Sequence, residues 1–209
     1  KAAGFEVILQ EYIPGPPTGH FFIDGFMDRQ HVVQARFARQ RLRMYPPDFG
    51  NSTYMASVPV ATVQPAMDAL ETLLRHLRYR GIFSAEYKRD PRDGTFHLIE
   101  VNARPWWYVG YAEHCRVPVC EMAYADALGL PLGQQPPYPI GARCVYPQFD
   151  AQEYRWRRSQ GLQHASLLTY AGAWLTAHKP VFAWDDPWPA VSGALTQLGQ
   201  SLRKRLGRA

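Results

Sequence analysis

Apolar positions along this chain change period several times, and each change marks an element. Residues 5–13 (Phe-Glu-Val-Ile-Leu-Gln-Glu-Tyr-Ile) form an apolar, β-branched run that predicts a buried strand, stopped by the rigid turn Pro14-Gly15-Pro16-Pro17. Segments 20–26 and 31–39 predict two more strands, and the polar Met27-Asp28-Arg29-Gln30 between them makes an antiparallel hairpin. From 41 to 59, with Pro46-Pro47 and Gly50-Asn51-Ser52, the pattern reads as a long polar loop of the kind that serves as a lid or binding loop. The period then becomes helical. Met67, Leu70, Leu74 and Leu77 lie on one face of a helix spanning about 64–80, with Pro65 suited to its first turn and Gly81 to its end.

Segment 81–88 reads as a strand, 90–94 (Asp-Pro-Arg-Asp-Gly) has turn chemistry, and 95–102 is the returning strand. A second helix over 119–128 ends at Gly129, with Pro131 just beyond. Past residue 130, Pro- and Trp-rich stretches such as Trp184-Asp185-Asp186-Pro187-Trp188-Pro189 alternate with short apolar segments, giving an irregular region with one helix near 167–178. The expected fold class is α+β, an antiparallel sheet with covering helices. Its boundary falls near 130, separating 1–130 from a C-terminal extension over 131–209.

Composition narrows the class. The chain has 209 residues, 46% hydrophobic and 20% charged, which suits one or two globular domains and excludes collagen, coiled coil and wholesale disorder. No run approaches the roughly 18 apolar residues of a membrane helix, and residues 1–6 lack a signal-peptide core. Three cysteines without paired spacing argue for a reducing compartment, so a cytoplasmic location is expected, with no membrane partner. The net charge of +5 is modest, and four basic residues (Arg203, Lys204, Arg205, Arg208) sit in the last seven positions. Such a tail is a nucleic-acid footprint in some proteins and a solvated terminus in more, so no nucleic-acid partner is expected.

Chemistry concentrates in the hairpin 81–104. Strand alternation puts Glu86 and Lys88 on one face of the first strand, Glu100 and Asn102 on one face of the second, and the turn can bring Glu86 opposite Glu100. Two carboxylates and an amide among Leu98, Ile99 and Val101 are costly to bury unless a cation neutralises them. A hard cation with oxygen ligands, Mg²⁺ or Mn²⁺, meets that need and is commonly shared with substrate phosphates. Arg104 follows on the same alternation as a phosphate-matching donor. The competing reading is a surface hairpin with solvated charges.

The stretch Gly81-Ile-Phe-Ser-Ala-Glu86-Tyr-Lys-Arg-Asp-Pro-Arg-Asp-Gly-Thr-Phe-His-Leu-Ile-Glu100-Val-Asn102-Ala-Arg104 resembles the metal-binding signature of the ATP-grasp superfamily, and Gln10-Glu11-Tyr12-Ile13-Pro14-Gly15 resembles its hinge. The 41–52 loop and the 182–189 stretch further resemble carboxylate–amine ligases of the D-aspartate ligase type. The resemblance implies the C-terminal half of an ATP-grasp domain over 1–130, with Glu86, Glu100 and Asn102 as magnesium ligands and Arg104 at the transferred phosphate. Glu11 would hold the ribose, and the backbone of Gln10, Tyr12 and Ile13 the adenine edge. It also implies ATP, Mg²⁺ and small-molecule carboxylate and amine substrates, joined through an acyl phosphate. The superfamily's substrate domain and phosphate-holding lysines precede the hinge, so the resemblance implies a preceding segment or partner chain. A non-catalytic nucleotide- or partner-binding module is the alternative.

Further residues stay open. Arg39, Arg41 and Arg43 alternate and could contact phosphates or an acidic substrate, with Arg41 the candidate catalytic residue, or make a solvated strand face. Lys88 could pair with Glu86. Pro105-Trp106-Trp107-Tyr108 is either a substrate-pocket wall or core. His114, Cys115 and Cys120 lack a second ligand pair at zinc spacing and read as packing.

Overall fold

The computed structural model describes residues 8–162, 165–182, 185–193, 195–196 and 199. The basic tail and the start of the first predicted strand lie outside the described residues. Among the described residues six strands form, β1 (His20–Met27), β2 (Val33–Tyr45), β3 (Asn51–Val58), β4 (Gly81–Arg89), β5 (Phe96–Asn102) and β6 (Arg143–Val145). Among the described residues these pack with helices α1 (Gln64–His76), α2 (Val109–His114), α3 (Val119–Leu128), α4 (Pro147–Ser159) and α5 (Leu167–Thr176). The strands make one sheet in the order β5-β4-β1-β2-β3-β6, each neighbouring pair antiparallel. The α+β expectation holds.

β1 is buried along its whole length because β2 and β4 flank it and both sheet faces are covered there. Its period-2 pattern sorts side chains to the two faces. Phe21, Ile23 and Met27 join Phe83, Ala85 and Tyr87 of β4 beneath Met67, Leu70 and Leu74 of α1. On the other face Phe26 joins Ala35 and Phe37 of β2 and Met55 of β3, packed against Tyr111, Val119 and Met122 of α2 and α3. Only glycine fits at position 25, since a Cβ there would stand 2.2 Å from the Ala35 carbonyl oxygen and 2.6 Å from the Phe83 ring.

Four stretches differ from the pattern. Residues 8–13 form no strand. Ile8 and Leu9 are almost fully exposed and only Ile13 is buried, so an apolar run alone does not make a strand without an edge to pair with. The 41–59 stretch is not a long loop: β2 runs on to Tyr45, β3 begins at Asn51, and only 46–50 turns. Its polar residues misled the reading because they are strand residues that bury against one another. α1 ends at His76, with Arg78 in the left-handed region (φ 50°), Leu77 exposed, and Gly81 (φ 122°) opening β4 rather than capping the helix.

Beyond 130 the chain is more regular than its composition suggests. β6 pairs with β3, and α4 packs against β2 and β3. The inner face of α4 is polar, with Asp150 and Glu153 buried, so it shows no apolar stripe to be found. Asp150 accepts from Arg43 Nε and Nη2 (2.8 and 2.6 Å), Thr53 Oγ1 (2.8 Å) and Trp174 Nε1 (2.8 Å). Glu153 accepts from the Tyr170 hydroxyl at 2.5 Å. No helix of the described residues is long and apolar enough to cross a membrane.

Candidate functional site

Strand register sets the site. Glu86 of β4 and Glu100 of β5 are direct cross-strand partners, and Ser84 lies opposite Asn102. A register shift between Glu86 and Tyr87 follows, after which Tyr87 pairs with Leu98. The two carboxylates and the amide therefore share one end of a sheet face, as alternation requires. Asn102 Nδ2 donates to Glu100 Oε1 (2.8 Å).

The two acids live in different surroundings. Glu86 is largely buried. Its Oε1 faces His20 Nδ1 at 2.7 Å and Arg41 Nη2 at 3.0 Å. Burial alone would raise the Glu86 carboxyl, but the His20 hydrogen bond and the Arg41 charge outweigh it and hold it below the usual range. Glu100 is exposed, because β5 is an edge strand. The burial argument for a cation thus fails at exposed Glu100, and at Glu86 Arg41 already supplies the neutralising charge, a correction to the sequence reading. The apolar neighbours were there, but an edge strand leaves them half in solvent.

Arg41 is 5% exposed at the side chain, with Nε donating to Ser52 Oγ (2.8 Å). Burial lowers its affinity for the proton and Glu86 opposes that. Behind it Arg39 is fully buried, its Nε donating to Asp24 Oδ2 (2.7 Å) and its guanidinium 3.9 Å from the Phe22 ring centroid. Ser84 Oγ donates to Asp24 Oδ1 (2.6 Å). Burial pushes the Asp24 carboxyl up, and Arg39 only partly reverses it. Arg43 does not join them. The ladder shifts register on either side of it, and its guanidinium is spent on Asp150. Lys88 does not pair with Glu86 either. Its ammonium lies 5.2 Å from the Tyr12 ring centroid, and burial lowers its pKa.

Two cavities open on this face and share Arg41, Asn51, Glu86 and Glu100. The first, about 330 Å³, adds Ser52, Ser84, Asn102, Arg104 and the Trp106-Trp107-Tyr108 wall. The second, about 480 Å³, adds Gln10, Glu11, Tyr12 and Ile13, with His20, Phe49 and Lys88. The hinge-like segment and the acidic hairpin therefore line one continuous cleft, although 89 residues separate Gln10 from Ile99, whose carbonyl accepts from the Gln10 amide at 3.2 Å. Glu11 is exposed and pairs with Arg92 at 3.1 Å, a solvated contact of little energy. Arg104 is exposed, its Nη1 donating to the Pro105 carbonyl (3.2 Å).

Sequence reasoning missed His20, Phe22, Asp24 and Ser84. The signal was available: three alternate positions on a strand otherwise apolar on both faces put His20 and Asp24 toward the site. Among the described residues, the one group of three close acid, thiol or imidazole ligands is Asp90 and Asp93 of the β4–β5 turn with His97 of β5. Arg92 already neutralises Asp90 there and holds its carboxyl down at about 2. The imidazole–cysteine cluster is packing: His114 stacks on His178 at 4.2 Å and Cys115 is fully buried. The oxygen-only set of Glu86, Glu100 and Asn102 suits a hard cation such as Mg²⁺.

No family model matches the chain. It is similar to a D-aspartate ligase from Enterococcus faecium, 26% identical over 99 residues, which cover 47% of this chain and 23% of that protein. Among solved structures it is similar to the ATPase subunit of phosphoribosylaminoimidazole carboxylase from Aquifex aeolicus (18% identity, 60% of this chain and 38% of that one, TM-score 0.45). It is also similar to a biotin carboxylase from Campylobacter jejuni (16% identity, 59% and 28%, TM-score 0.49). The chain thus spans about a quarter of the length of the curated relative. The superfamily likeness read from the two short motifs, and the D-aspartate ligase type read from the 41–52 and 182–189 stretches, are joined by a sequence match to a D-aspartate ligase.

Proposed function

We propose that this chain carries the metal- and nucleotide-binding C-terminal part of an ATP-dependent carboxylate–amine ligase, with residues 1–130 as the ATP-grasp portion. The observation that carries the reading is the Glu86–Glu100 register, with Asn102 beside it and the 10–13 segment lining the same cleft. Glu86, Glu100 and Asn102 would hold Mg²⁺ or Mn²⁺, which when bound neutralises and orients the phosphates of ATP. Glu11 and the backbone of 10–13 would take the ribose and adenine edge in the second cavity. Arg104 and Arg41 would face the transferred phosphate and the acyl phosphate formed from the carboxylate substrate, where fixed positive charge stabilises the charge that develops. His20 holds Glu86 in place. An amine then displaces phosphate to form the carbon–nitrogen bond. The remaining phosphate donors would come from a preceding segment or partner chain.

The test is Glu100→Gln in the full-length protein. Metal-dependent ATP turnover should fall by roughly 100-fold or more while the thermal transition stays put, as befits an exposed residue. Retained turnover would sink the catalytic reading and leave a nucleotide-binding module.

A further inference from the structure

Glu86 is held by one oxygen only. Its Oε1 lies 2.7 Å from His20 Nδ1 and 3.0 Å from Arg41 Nη2. Its Oε2 has no hydrogen-bond partner among the described residues and is not closed off from solvent, so its free side is the cleft whose two cavities Glu86 lines. The neighbouring acid repeats the arrangement. Glu100 Oε1 accepts from Asn102 Nδ2 (2.8 Å), which leaves Glu100 Oε2 and Asn102 Oδ1 without a partner among the described residues. Each candidate ligand is therefore tied at one end and free at the other.

The anchor on Glu86 comes from strand register. His20 opens β1 opposite Lys88, and Phe22 stands opposite Glu86, so His20 and Glu86 are diagonal neighbours on one face. The His20 side chain is only 7% exposed, so solvent does not compete for its ring. A carboxylate can only accept, so Nδ1 carries the proton and the ring is fixed in one tautomer. An engaged Oε1 has a chemical consequence. Ca²⁺ commonly takes both oxygens of a carboxylate and tolerates irregular geometry, whereas Mg²⁺ demands a near-regular octahedron completed by water and phosphate oxygens. A carboxylate whose Oε1 is occupied from behind offers a single oxygen, which suits the smaller ion.

We propose that His20 is a positioning residue that tunes this site to Mg²⁺ or Mn²⁺ over Ca²⁺, by fixing Glu86 through Oε1 and presenting Oε2 alone to the ion. The proposal rests on the metal reading above and adds to it the group that sets the ion's identity. Arg41 shares the anchor, but its removal would also change the charge of the cleft. His20 tests the geometry by itself.

The probe is Mn²⁺, titrated into the 209-residue chain, followed by the loss of its free EPR signal and then displaced by Mg²⁺ or by Ca²⁺. Wild type is compared with Glu100→Gln, His20→Asn and His20→Leu. Asn puts an amide donor about where Nδ1 stood, and Leu keeps that shape without a donor. Wild type should yield its Mn²⁺ to Mg²⁺ more readily than to Ca²⁺. His20→Leu should bind Mn²⁺ roughly tenfold more weakly, as when a metal ligand loses its outer partner, and should shift the competition toward Ca²⁺. His20→Asn should restore both. A general loss of packing would move the two variants together and leave the ratio of Mg²⁺ to Ca²⁺ alone. Equal behaviour of the Asn and Leu variants, or an unchanged ratio in a folded His20→Leu, overturns the proposal. The metal reading survives that result if Glu100→Gln abolishes Mn²⁺ binding. Mn²⁺ that fails to bind wild type, or binds Glu100→Gln as well, removes the metal reading and the proposal with it. Where His20→Leu does not fold, His20→Gln, whose amide reaches beyond the Nδ1 position, is read in its place.

Discussion

The two faces of this sheet are made by the same strands and solve opposite problems. Beneath α1 the face is apolar throughout, with Ile23, Phe83, Ala85 and Leu70 each at most 0% exposed. One residue along β1 and β4, the other face, beside its own core of Phe26, Phe37 and Met55, buries Asp24, Ser84 and Glu86 and answers each with a partner from β2 or β1. The first face gains stability from area removed from water. The second spends much of its interaction energy offsetting the desolvation of its own charges, and gains fixed donors and acceptors at the rim of a cleft. A face built that way is costly for stability alone and suited to binding.

The sharpest way to break the comparison is to remove one charge from the polar face. Asp24→Ala strands the fully buried Arg39 guanidinium, whose remaining side-chain contacts are Met55 Sδ and two aromatic rings. We expect a loss of about 3–5 kcal/mol in urea unfolding, the cost of an uncompensated buried charge. Replacing both partners by apolar residues, Asp24→Leu with Arg39→Met, should recover most of it. If the double variant is no better than the single one, the stranded charge is not the cause. On the apolar face Leu70→Ala should cost about 3 kcal/mol, from lost transfer and the cavity left under the sheet. That loss should stay the same when Arg39 is also replaced, since the two sites share no partner. Non-additive values would mean that the faces are coupled through the strands.

The same contrast explains what the sequence could and could not disclose. The apolar face announces itself, because Met67, Leu70 and Leu74 keep helical period and Phe21 and Ile23 keep strand period. The β4–β5 hairpin was legible to its register, since alternation plus the 90–94 turn places Glu86 opposite Glu100. The second half of β2, all of β3 and α4 were hidden for one reason: beside the apolar Met44, Met55 and Ala56, their buried positions include Arg41, Ser52, Thr53, Asp150 and Glu153, polar residues that bury by pairing with side chains elsewhere in the chain. No local pattern encodes a partner 107 residues away, as Arg43 has in Asp150. The shielding of Glu86 was invisible likewise, because His20 is 66 residues distant. The site's acids could be read from the chain, but not the groups that set their charge.

The last and smallest effect lies at the outer end of the polar face, where His178 joins the sheet through its backbone. Its N–H donates to the Arg143 carbonyl (2.9 Å), and its carbonyl accepts from Val145 N–H (2.9 Å). Its ring stacks on His114 at 4.2 Å and on Tyr111 at 6.3 Å, and its Nε2 has no partner among the described residues. Burial, then the charges of His114 and Lys179, push it down from 6.5 to about 4. A base whose pKa is lower in the fold than in the unfolded chain binds more protons when unfolded. Stability is therefore full above about 6.5 and declines as pH falls from there toward about 4. Allowing for partial solvation of the ring, that decline is about 1–2 kcal/mol. The carboxylates titrate too, so the quantity to measure is the difference in urea midpoints between wild type and His178→Gln at fixed pH steps from 7 to 4. The wild type should lose more than the variant over that range, with the gap opening below about 6.5. Parallel curves would show that His178 takes up its proton without leaving the fold. The pH sensitivity of this face would then belong to Asp24 and Glu86, whose linkage runs in opposite directions because burial raises the first and its partners lower the second.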